Sequence, residues 1–144
     1  MRVLFDTSVL VAATVEPHPV HNRALPWLQR AKAGEFDFLV ATHTLAELYA
    51  VLTTLPVKPR ITPLAAWRLV QTNVEVSARI VTLSVSDYKG TVREMAENGL
   101  TGGVIYDALI VAAARKSGAD RLLTLNEHDF LRLWPQGEDV ITVP

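Results

Sequence analysis

The sequence predicts an α/β domain in which a mainly parallel sheet is covered by helices on both faces. Short β-prone apolar runs alternate with helix-patterned segments, the arrangement expected of βαβ units. The chain has 144 residues, the length of a single domain spanning 1–144, and 49% of them are hydrophobic, enough for one sizeable core. Its 7 glycines and 8 prolines are too few for a fibrous or low-complexity chain.

Val3 to Phe5 is the first strand, and it gives way to Asp6-Thr7-Ser8, residues that favour caps and turns, so a strand-to-helix junction is expected there. Arg2 and the apolar residues after it are faintly leader-like. Asp6 interrupts the run and no small-residue cleavage pattern follows, so it reads as a core strand. His21 to Ala33 places Ala24, Leu25, Leu28 and Ala31 on one side of a helix, with a kink expected at Pro26 and an end at Gly34. Phe36 to Val40 returns to strand. Leu45, Leu48, Tyr49, Leu52 and Leu55 then recur at helical spacing until Pro56, with Thr42 or Thr44 as the expected cap. Pro56 to Arg60 is a loop, and Thr62-Pro63 opens another helix in N-cap and N1 order. Ile80 to Leu83 is a third strand, followed by a helix from about Ser86 to Asn98 closed by Gly99. Val104 to Ser117 is a helix ending at Gly118, Arg121 to Leu125 a fourth strand and Val140 to Val143 a fifth.

Several classes of function drop out on composition. With no cysteine, disulfide frameworks, thiolate zinc sites and cysteine nucleophiles are excluded, and a cytoplasmic setting is expected. The longest apolar stretch, Ala108 to Ala114, is far short of the ~18 residues of a membrane span. A formal net charge of −1 advertises neither nucleic acid nor membrane, so function has to come from arrangement.

Four acids stand out by position, because ligands of parallel sheets gather beyond the carboxyl ends of the strands. Asp6 directly follows the first strand, although it equally suits capping the turn. Asp107 lies in a helix that is apolar on nearly every face, where an unpaired carboxylate costs several kcal/mol unless the first turn's dipole or a cation compensates it. Glu47 falls about opposite the leucine stripe of its helix, facing water or a cleft, and with Thr44 it also forms a capping-box pattern. Asp129 comes just after the fourth strand, within reach of Asn126 as a local partner. Carboxylates that converge repel one another, and a hard divalent cation resolves the repulsion. Oxygen-only ligands, with no cysteine and no paired histidines, point to Mg²⁺ or Mn²⁺ and to hydrolysis at phosphorus.

The segments Val3-Leu4-Phe5-Asp6-Thr7-Ser8, Thr44-Leu45-Ala46-Glu47-Leu48, Tyr106-Asp107-Ala108-Leu109-Ile110 and Leu123-Thr124-Leu125-Asn126 with Asp129-Phe130 together resemble the PIN domain, over nearly the whole chain. Stand-alone PIN domains of this length are mostly VapC-type toxins. The resemblance therefore implies a PIN-like three-layer fold with a five-stranded parallel sheet in the order 3-2-1-4-5, and a Mg²⁺- or Mn²⁺-dependent endoribonuclease. It also implies homodimerisation and a VapB-like antitoxin. Residue by residue, Asp6, Glu47 and Asp107 match the family's principal acids, and Thr7 or Ser8 its small hydroxyl. Asn126 stands where many members have an acid, so the fourth carboxylate has to be Asp129. Asp6 and Asp107 are the expected metal ligands, with Glu47 and Asp129 completing the catalytic cluster. The antitoxin is expected to place a basic side chain among the acids, with an apolar stretch beside Leu48, Tyr49 and Leu52.

Two other readings share part of this pattern. A haloacid-dehalogenase-like phosphatase also carries an aspartate after strand one, but needs a second two residues on, where Ser8 stands. A catalytically silent PIN fold binding antitoxin or RNA is the other. His18, His21, His43 and His128 lack a histidine partner at i, i+4 and read as surface or loop residues, and Trp27, Trp67 and Trp134 as core or dimer contacts. Arg23, Arg30, Lys32, Arg115, Lys116 and Arg121 are candidate phosphate contacts.

Overall fold

The computed structural model describes all residues, 1–144. Strands β1 (Arg2–Phe5), β2 (Asp37–Ala41), β3 (Arg79–Val81), β4 (Arg121–Leu123) and β5 (Ile141–Thr142) form one sheet in the order β3-β2-β1-β4-β5. Every pairing is parallel. The helices are α1 (Thr7–Thr14), α2 (His21–Lys32), α3 (Thr42–Thr54), α4 (Pro63–Val70), α5 (Val85–Glu97), α6 (Val104–Ser117) and α7 (Glu127–Leu133).

Strand alternation divides the core into two layers. Val3, Phe5, Phe38, Val40 and Leu123 point to one face, where they meet Leu10, Leu28, Leu48, Leu52 and Ala66 from α1 to α4. Leu4, Leu39, Ala41 and Leu122 point to the other and pack on Ile110, Val111 and Ala114 of α6 and Phe130 of α7. Trp27 and Trp134 pack at the edges of these layers, whereas Trp67 is 49% exposed. No helix is long and apolar enough to cross a membrane.

Pro26 sits inside α2, which runs on to Lys32. Other local details differ from expectation. Helix α3 starts at Thr42 with Ala41 as its N-cap, so neither expected threonine caps it and no Thr44–Glu47 capping box forms. Thr44 is instead fully buried, and the Thr42 hydroxyl donates to the Val81 carbonyl at 3.1 Å. The true capping box is on α5, where Ser84 and Asp87 exchange hydrogen bonds with each other's backbone N–H. Thr62 caps α4 as expected, accepting from Ala65 N. Strands β3, β4 and β5 are shorter than the apolar runs that announce them, because pairing ends before apolarity does.

The chain winds from β1 outward to β3, then returns to build β4 and β5 on the other side of β1. The crevice beyond the carboxyl ends of β1 and β4 is therefore the place where a doubly wound sheet opens for a ligand.

Candidate active site

Asp6, the N-cap residue of α1, is 2% exposed at the end of β1. Its Oδ2 accepts hydrogen bonds from Ser8 Oγ at 2.6 Å and Thr124 Oγ1 at 2.9 Å. Those hydroxyls in turn accept from the backbone N–H groups of Leu125 and Asn126, both at 3.0 Å. A chain of bonds thus ties the carboxylate to the segment after β4 and fixes its direction. Burial raises the Asp6 pKa above its usual value; the bonds from Ser8 and Thr124 oppose that rise, and the charge of Glu47 adds to it. The sequence left Thr7 or Ser8 open, and the structure selects Ser8: the Thr7 hydroxyl turns to Thr44, 3.5 Å away. Thr124 went unnoticed as an Asp6 partner, since nothing local marks a contact that spans the chain.

Asp107 occupies the first turn of α6 and is only half-buried, because Tyr106 beside it is exposed and the helix is not sheathed on every side as its composition suggested. Its pKa is pushed up to about 7, first by burial and then by the charges of Asp6, Glu47 and Asp129. The helix dipole favours its ionised form, and desolvation with three like charges outweighs that.

Glu47 projects from the second turn of α3 with its Oε2 buried and without a hydrogen-bond partner. His43 Nε2 lies 3.2 Å away but out of hydrogen-bonding alignment. An orphaned carboxylate oxygen is costly in a dry core and useful beside a cleft. Asp6, Glu47 and Asp107 all line one crevice of about 380 Å³, together with Ser8, His18, Asn126 and the apolar side chains of Val11, Val51, Leu55 and Leu125. His18, from the loop after the first motif, where the sequence makes contact with substrate the less favoured of two readings, lines the crevice wall.

Of the four acids expected to converge, Asp6, Glu47 and Asp107 line one crevice. Asp129, half-buried in the first turn of α7, does not line the crevice, and it acts on Asp107 through its charge. No three carboxylate or imidazole groups are gathered tightly enough to cage one ion as they stand. An oxygen-only donor set, one orphaned buried oxygen and two carboxyls that hold protons too tightly are nevertheless the features a hard divalent cation would satisfy.

Of the candidate phosphate contacts, Arg30 is paired with Glu35 at 2.7 Å, Lys116 with Asp87 at 2.6 Å, and Lys32 and Arg121 are hydrogen-bonded to Asn73 and to the Asp139 carbonyl. Arg23 and Arg115 make no such contact.

Residues 3–133 match the sequence profile of the PIN domain. The chain is 38% identical over 119 residues to ribonuclease VapC40 of Mycobacterium tuberculosis, covering 83% of this chain and 82% of that protein. The crystal structure of Mycobacterium tuberculosis VapC20, a sarcin-ricin loop cleaving toxin, superimposes with a TM-score of 0.66 at 16% identity, over 83% of this chain and 86% of that one. VapBC2 of Rickettsia felis, solved bound to a DNA fragment from its promoter, superimposes with a TM-score of 0.65 at 20% identity, over 100% and 99% of the two chains.

Proposed function

Because the chain belongs to the PIN-domain family, we propose that it is a VapC-type endoribonuclease toxin, which hydrolyses phosphodiester bonds of RNA in the cytoplasm with the help of Mg²⁺ or Mn²⁺. The observation that carries the reading is the crevice lined by Asp6, Glu47 and Asp107, with Asp107 raised to about 7 first by burial and then by the neighbouring acids. Asp6 and Asp107 would hold the cation. When bound, it supplies positive charge to the phosphate and a more acidic water.

The chain's own residues do the rest. Ser8 and Thr124 keep Asp6 Oδ2 engaged, so the carboxylate is aimed before any ligand arrives and little ordering remains to be done on binding. Glu47 Oε2, free of hydrogen bonds, accepts the proton of the attacking water. Asp129 biases Asp107 through charge without touching the crevice. No protein nucleophile is needed.

An antitoxin of the VapB type would silence this site by placing a lysine or arginine among the acids, where it replaces the cation's charge. Its apolar stretch would lie on Val51 and Leu55, which border the crevice, since Leu48 and Leu52 are fully buried in this protein's own core. The toxin itself would act as a homodimer.

Cleavage of single-stranded RNA by the purified protein tests the reading. Activity is expected in Mg²⁺ or Mn²⁺, none in chelator, and a loss of about 100-fold or more in Asp6→Asn. Equal activity of wild type and Asp6→Asn would refute it.

A further inference from the structure

We propose that the stacked rings of His43 and Tyr106 form a platform for one nucleobase of the RNA strand, beside the acidic crevice. The proposal rests on the ribonuclease reading and places the base that flanks the cleaved phosphate.

The two rings are nearly parallel, with 5° between their planes and 4.7 Å between centroids. His43 comes from the first turn of α3 and Tyr106 from the first turn of α6, so tertiary packing makes the pair, and no single helix's spacing does. Tyr106 is 49% exposed. Core stability does not require an aromatic ring so placed. His43 is the less exposed ring, and its Nε2 lies 3.2 Å from Glu47 Oε2.

Alongside lies a depression of about 360 Å³, lined by Ala46, Ala50 and Gly103 in addition to the two rings, Glu47 and Asp107. Three of its lining residues are small, which leaves room beside the rings. Glu47 and Asp107 border both this depression and the crevice that contains Asp6. A strand whose phosphate sits at the acids therefore has an aromatic surface immediately beside it. Stacking on aromatic rings tolerates every base, so the pair positions the strand without reading its sequence.

The test is steady-state cleavage of a single-stranded RNA oligonucleotide by wild type, Tyr106→Phe, Tyr106→Ala and His43→Leu, with thermal melts of each. A second arm follows the fluorescence of a 2-aminopurine RNA of the same sequence bound to Asp6→Asn protein with and without Tyr106→Ala. Loss of the stack is expected to raise KM about 5- to 100-fold with kcat within a few-fold, and to abolish the 2-aminopurine quenching. Tyr106→Phe keeps both. An unchanged KM with unchanged quenching overturns the platform, and so does a fall in kcat alone. An unchanged KM together with weakened binding of a co-expressed antitoxin also overturns it, in favour of a protein-docking face. Absence of cleavage by wild type in either metal refutes the ribonuclease reading instead, while the quenching arm still reports on stacking.

Discussion

Replacing Asp107 with asparagine should stabilise the metal-free protein, and by an amount that depends on pH. In the folded protein the Asp107 carboxyl keeps its proton up to about pH 7, against an ordinary value of 3.8. Between those values the unfolded chain has released a proton that the folded chain retains. Rising pH therefore drains stability across that window, and the loss is complete above pH 7. The full interval corresponds to a ceiling of about 4 kcal/mol. Asp107 is only half-buried, so water screens the repulsion, and about 1–2 kcal/mol is the expected penalty. Asparagine cannot ionise and escapes it. Urea unfolding in chelator at pH 8 should show Asp107→Asn more stable by that amount, equivalent to a melting temperature higher by about 3–8 °C. At pH 4 the two proteins should coincide. Added Mn²⁺ should raise the wild-type melting temperature more than the variant's, because the variant has lost one of the two carboxylates expected to hold the cation. A variant that is less stable at pH 8, or a difference that does not change with pH, would refute the argument and assign the carboxylate a structural role at the α6 N-terminus.

Thr124→Val leaves both Asp6 Oδ2 and the Asn126 N–H short of a partner, so a loss of about 1–3 kcal/mol in urea unfolding and about tenfold in RNA cleavage is expected. An unchanged cleavage rate would show that Ser8 alone holds Asp6. Asp87 is held at about 2 by Lys116 Nζ at 2.6 Å and by its place in the capping box, so it stabilises the fold above pH 3.8 and that contribution fades as pH falls through 2. Melts of Asp87→Asn should accordingly trail wild type at pH 6 and approach it at pH 2. Gly118 ends α6 at a φ of 62°, and a Cβ there would lie 2.7 Å from Arg2 Nη1, the mobile end of a side chain bonded to the Ser117 carbonyl. Gly118→Ala should cost about 1 kcal/mol, measurable by thermal unfolding, with RNA cleavage unaffected.

By itself the sequence determined the fold class, the five strands and their alternation with helices, and it marked Asp6 and Asp107, because these follow from local signals; Glu47 stood out only through the pattern of the four acids together. Apolar runs, helical spacing, capping residues and acids placed directly after strands are all read within a few residues of one another. Other features only the tertiary structure decided. Ser8 and Thr124 share one carboxylate oxygen because β1 and β4 are neighbours, a pairing between residues 118 positions apart for Asp6 and Thr124. Thr44 looks like a cap and is fully buried, since Ala41 already starts the helix and the threonine hydroxyl faces Thr7 of α1. Asp129 looks equivalent to the other acids in its place after a strand, yet the first turn of α7 leaves it outside the crevice and lets its charge alone reach Asp107. His43 and Tyr106 carry no mark of each other in the sequence, 63 positions apart. They meet because α3 and α6 start at the same edge of the sheet, and the parallel order that brings those helix ends together is a property of the whole chain.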